Sequence, residues 1–185
     1  MKWLDFRSGP VNPDVIPLLY MEPRKLIDRT EKLFAGVTLA DGGISLREAD
    51  AFDRYEHKAS RAKARALDEH QHWQKLVGTK LLNEGFAGAM CFADARALRF
   101  YLPACLATLL ALDYPDDLPD LFRGLLFHVS QPRSETLFSM LTQPQLLLLH
   151  DALLVFQERT GDDRLLAGDI SNAIETMLYR LEPLG

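Results

Sequence analysis

Leucine dominates the apolar half of this chain. It occurs 34 times in 185 residues, against 11 valines and isoleucines together. Leucine keeps most of its rotamer freedom in a helix, whereas β-branched residues lose theirs and pack better on pleated strands. The ratio predicts an all-α fold. A chain of this length buries a substantial core as one unit. The expectation is therefore a single compact domain over 1–185, with about seven helices around a buried central helix. A proline-rich arm at 1–23 precedes it, since Pro10, Pro13, Pro17 and Pro23 forbid a long helix there.

The pattern along the chain places the helices. Leu26, Ile27, Thr30, Leu33 and Phe34 follow helical spacing, and Gly36 is a natural stop. Gly42 and Gly43 mark a turn. Ser45-Leu46-Arg47-Glu48 has the form of a capping box, in which serine and glutamate each serve the other's backbone. From there Phe52, Tyr55, Ala59, Ala62, Ala66, His70, Trp73 and Val77 recur in steps of three and four. They predict one helix of about 25 residues or more, with an alanine seam for a close neighbour. Asp94 is placed to cap a helix running to about 112. Further helices are expected near 117–129, 134–142, 145–159 and 162–181. The stretch Leu146 to Phe156, apolar on nearly every side, is expected to be the central one.

The helix after Asp94 carries a proline at 103 inside an apolar run, where it removes a donor and crowds the preceding turn at a cost of about 3 kcal/mol. Such a bend serves packing or a site, with Arg99 and Tyr101 as the adjacent polar groups. Leu98-Arg99-Phe100-Tyr101-Leu102-Pro103-Ala104 resembles the marker segment of a bacterial family of unknown function, whose members show an aromatic-Tyr-Leu-Pro-Ala helix in mid-chain. Glu31 to Val37, Trp73 to Leu76 and Leu141 to Gln145 agree with it in order, so that the resemblance spans roughly residues 26 to 160. Asp94-Ala95 stands where members tend to carry Thr-Pro, and aspartate caps a helix as well as threonine does. The resemblance implies a fold and a bacterial source, and it brings no activity and no functional residue with it.

Chemistry is sparse. The sequence has no nucleophile elbow, phosphate loop, dinucleotide glycine pattern or paired CxxC motif. No catalytic residue, metal or cofactor is expected. Glu69 and His72 have the i, i+3 spacing of carboxylate-bridged metal bundles, but those need the pair twice. The preferred reading there is a solvated helix turn. Cys91 and Cys105 read as two buried free thiols. His150-Asp151, inside the most apolar stretch, must be paired if buried, and reads as a device that holds helix register. Arg54, Lys58, Arg61 and Arg65 fall at i, i+4, i+7 and i+11, a basic stripe if their helix is continuous. Without interleaved aromatics the stripe does not suggest nucleic acid, and a solvated face is preferred.

A net charge of −5 disfavours nucleic acid and suits a basic protein partner. The apolar runs are too short for a membrane span, and the N-terminus has no signal-peptide core, so a cytoplasmic protein is expected. The leading expectation is a small protein-binding module, such as an immunity-type protein that neutralises a toxin or effector. Its candidate binding residues are Asp116, Asp117 and Asp120, then Arg99 and Tyr101, then Arg54, Lys58, Arg61 and Arg65. The alternatives are an enzyme or ligand-binding protein with a pocket near Pro103, and a homo-oligomer built on the alanine seam.

Overall fold

A computed structural model describes residues 22–39, 42–83, 88–112, 120–131, 135–159 and 164–181. The arm expected at 1–23 lies outside them except for its last two residues, and Pro23 already opens the first helix, where a missing N–H costs nothing. The described residues form α1 (Pro23–Leu33), α2 (Leu46–Asp53), α3 (Lys58–Arg65), α4 (Lys80–Asn83), α5 (Ala95–Ala111), α6 (Asp120–Ser130), α7 (Glu135–Phe138), α8 (Gln143–Arg159) and α9 (Arg164–Leu181). Short 3-10 helices stand at Trp73–Leu76 and Gly88–Phe92. No strand occurs among the described residues, so the chain is an all-α single domain, as the leucine bias predicts.

The centre is α5 rather than α8. Every residue from Phe100 to Leu110 on α5 is buried, whereas α8 leaves Leu147 41% exposed. Helix α1 packs against both α5 and α8, α9 lies along α6 and α8, and α2 folds onto α3 and the Gly88–Phe92 turn. Pro103 sits in mid-helix without ending α5. It offers no N–H to the Arg99 carbonyl, and its ring is surrounded by core.

Local signals behave as the sequence reads at several termini. Asp94 accepts from the Ala97 N–H at 2.8 Å and starts α5. Gly36, at φ 71°, follows α1. Gly42, at φ 91°, also runs where a Cβ would meet the Arg96 guanidinium at 2.7 Å. At α2 the glutamate half of the capping box forms. The Ser45 N–H reaches Glu48 Oε2 at 3.4 Å, while the Ser45 hydroxyl makes no well-formed hydrogen bond.

The long helix does not exist. Its first part ends at Asp53, and the chain turns through Arg54, Tyr55, Glu56 and His57 into α3. Tyr55 takes φ 57°, its N–H bonds the Phe52 carbonyl at 3.0 Å, and the Glu56 N–H reaches back to Ala51 at 2.9 Å. These are the two bonds of a Schellman stop, with tyrosine where glycine is usual. His57 then caps α3, its Nδ1 accepting from the Ser60 N–H at 3.1 Å. Folding back lets Arg65 reach Glu48 at 2.9 Å and the Gly43 carbonyl, contacts that a straight helix would forbid. Ala59, Ala62 and Ala66 are left exposed, so no helix of the described domain covers the expected seam.

Side chains along α5 serve the neighbouring backbone. The Thr108 hydroxyl donates to Ala104 at 2.7 Å and accepts from the Gly78 N–H at 2.9 Å, tying the end of the Trp73–Leu76 turn to the core. Gln145 on α8 donates to the Leu33 carbonyl at the end of α1 at 2.8 Å, and Arg159 donates to Leu112 at the end of α5 at 2.7 Å. Replacing Thr108 by valine keeps the shape but strips Gly78 of its acceptor. In urea denaturation Thr108→Val should lose about 1–2 kcal/mol, and Thr108→Ser should recover most of it.

Candidate functional site

Neither Arg99 nor Tyr101, singled out near Pro103, is among the residues that line the groove between α6 and α9. Tyr101 is buried, and its hydroxyl accepts from the Leu46 N–H, the first amide of α2, at 3.2 Å. Burial pushes the phenol well above its ordinary value, and the nearby Asp68 carboxylate adds to the effect. Its proton therefore stays in place. Asp68, with its side chain fully covered, accepts from the Arg47 N–H at 2.9 Å and from the Arg47 guanidinium at 2.6 Å. The Tyr101 hydroxyl, Asp68, Glu48 and Arg65 thus converge on the start of α2 and hold it to α5 and to the segment after α3. This cluster fixes one helix end by capping and charge. Arg99 is half-buried on α5, and its Nε lacks a hydrogen bond. Tyr101→Phe should destabilise the fold by about 1–2 kcal/mol, because a buried amide loses its acceptor. Equilibrium unfolding in urea measures this.

Arg54, Lys58, Arg61 and Arg65 are divided by the corner at Tyr55 and form no single stripe. Arg54 pairs with Asp50 at 2.9 Å and Arg65 with Glu48 at 2.9 Å. Arg61 lies over the Phe52 ring at 4.7 Å, and Phe52 in turn packs on Phe92 at 5.3 Å. Lys58 and Arg61 make no ion pair among the described residues. At this corner Tyr55 is 96% exposed. From the sequence it belongs to the apolar face of a helix, and only the positive φ reveals it. Asp116 and Asp117 lie outside the described residues, and Asp120 is the first residue of α6.

Glu69 and His72 share no helix face, because residues 68–72 form an irregular turn. The Glu69 carboxylate accepts from the Gln71 and His72 N–H groups at 2.8 and 3.1 Å and pairs with Lys75 at 3.1 Å. The Gln71 amide does most to lower its pKa to about 2. Of the two thiols, Cys105 is buried and pushed up to about 12 by that burial, while Cys91 is exposed, contrary to expectation, on the 3-10 turn before α5.

His150 and Asp151 work as a tie between helices. Asp151 on α8 pairs with Arg29 on α1 at 2.7 Å, and His150 Nδ1 lies 3.4 Å from its other oxygen. Burial alone would raise the Asp151 carboxyl, but the His150 hydrogen bond and the Arg29 charge outweigh it and hold the group below its ordinary value. A depressed carboxylate adds stability above its unfolded pKa and loses it as pH falls through the folded one. The stability gap between the native chain and Asp151→Asn should therefore be widest at neutral pH and narrow on acidification below about pH 4, near the ordinary carboxylate range. Urea midpoints at pH 7 and pH 3 read this out.

A groove that the sequence does not announce runs between α6 and α9. It has a volume of about 390 Å³ and is lined by Arg123, Phe127, Gln131, Asp169, Asn172 and Glu175, with Ser130 and Thr176. No group of three or more potential metal ligands gathers among the described residues, and no helix described is long and apolar enough to cross a membrane.

Fold and surface together define a class: an all-α domain with a buried central helix, an exposed aromatic corner and a polar groove. The chain belongs to a family of unknown function, DUF6714, whose family model matches residues 22–170. No curated protein and no solved structure matches the chain.

Proposed function

We propose that this chain is a small protein-binding module that acts in the bacterial cytoplasm, of the immunity type that neutralises a toxin or effector. The observation that carries the reading is Tyr55. A bulky residue in the left-handed region costs about 1–2 kcal/mol relative to glycine, and the Schellman stop that ends α2 would accept glycine at no such cost. Tyrosine recovers nothing by packing, since its side chain is 96% exposed. Tyrosine and arginine are the residue types that dominate binding energy at protein interfaces, and Arg54 precedes Tyr55 on the same turn. A rigid corner that holds an aromatic side chain in water at a cost to the fold is a device for meeting a partner.

The net charge of −5 supports a basic partner, with Asp116, Asp117 and Asp120 ahead of and at the start of α6 as its acidic contacts. The two free thiols suit a reducing compartment. A pocket near Pro103 draws no support from the packing, because Phe100 to Leu110 are buried throughout and the groove lies on α6 and α9.

The test is one substitution with two readouts. Tyr55→Gly should raise stability by about 0.5–1 kcal/mol, the relief of strain less the entropy of glycine. Quantitative affinity capture from the source cells should enrich one basic protein with the native chain, and at least tenfold less of it with Tyr55→Gly. Equal capture by both, or no enriched protein with the native chain, would overturn the proposal.

A further inference from the structure

The α6–α9 groove has the size of a ligand site, but its walls are mostly polar, so its occupant carries polar or charged groups. Arg123 and Gln131 stand on one side, Asp169, Asn172 and Glu175 on the other, and Phe127 is 57% exposed between them. The Phe127 ring makes a T-shaped contact with His128 at 5.4 Å. Arg123, Asp169 and Glu175 make no hydrogen bond or ion pair among the described residues. The groove thus holds two carboxylates and one guanidinium beside an exposed aromatic ring, and no ion pair or hydrogen bond among the described residues engages these three charges.

That combination selects for a planar cation. A guanidinium forms paired hydrogen bonds with a carboxylate and stacks on an aromatic ring at the same time, and an ammonium does not do both. The Asn172 and Gln131 amides and the Arg123 guanidinium are then available to the carbonyls of the chain that presents it. We propose that the α6–α9 groove seats an arginine side chain from a peptide segment of the partner protein. The assignment rests on the protein-binding reading and gives its partner a chemistry. It uses a different face from Tyr55.

A capped Gly-Arg-Gly peptide, titrated into the labelled chain and followed by amide chemical shifts, is the test. Saturable shifts should centre on residues 123–131 and 169–176. The same peptide with citrulline, equal in shape but uncharged, should bind at least tenfold more weakly. The double substitution Asp169→Asn with Glu175→Gln should weaken the arginine peptide at least fivefold, and Phe127→Ala should also weaken it, with far-UV circular dichroism unchanged because these side chains are exposed. Tyr55→Gly should leave the titration unaltered. The assignment falls if the shifts do not saturate or lie elsewhere, if citrulline binds equally, or if the double variant binds like the native chain. Should the peptide fail while Tyr55→Gly still loses its partner, the groove assignment fails and the protein-binding reading stands.

Discussion

A helix buried on every side must pass its polar obligations to its neighbours, and α5 does so from Phe100 to Leu110. Its side chains from Phe100 to Leu110 are all in the core, so each hydroxyl on it must meet a partner there. Tyr101 takes the first amide of α2, and Thr108 takes an amide at the end of the Trp73–Leu76 turn. Two segments distant in sequence are thereby registered on one helix. Pro103 lies between these two positions and donates nothing, so its ring presents only apolar surface where α5 is most enclosed. The Tyr-Leu-Pro segment is in this sense the frame of the fold, and the groups that make it resemble a site are occupied in building that frame.

The termini of the other helices follow the same logic. Gln145 and Arg159 reach carbonyls at the ends of α1 and α5, and the Trp73 indole donates to Phe34 at 3.0 Å. Each satisfies an acceptor that a helix end cannot supply with a partner of its own. The Arg29–Asp151 pair adds a charged tie between α1 and α8, and His150 completes it. Much of the chain's conspicuous polar chemistry is thus structural.

How much of this was legible in the sequence differs by type of signal. Leucine bias, Asp94, Gly36 and the Ser45 box are local and strong, and the elements they mark stand where the pattern puts them. His150-Asp151 was legible as a tie between helices because a buried charge has few other solutions. The corner at Tyr55 was not legible, since residues 54–57 contain no glycine or proline and the apolar spacing continues across them. What breaks that helix is tertiary: Arg65 and Asp68 gain partners at the start of α2 only if α3 doubles back. The choice of α8 as the centre failed for a related reason. A run of leucines shows that a helix is apolar, but the covering of each face depends on neighbours that the run does not contain, and Leu147 has none sufficient to bury it.

The α6–α9 groove was illegible in principle, because its two walls are separated in sequence by two helices, and no spacing rule links Arg123 to Asp169. The Tyr55 corner and this groove nevertheless share a property that the frame around α5 lacks. At the frame, nearly every strained or polar group is answered by the chain itself. At the corner, tyrosine occupies a backbone conformation that glycine would hold at lower cost. In the groove, three charges face one another's helices without pairing. These two surfaces, the exposed aromatic corner and the polar groove, are the ones on which the proposed contacts rest.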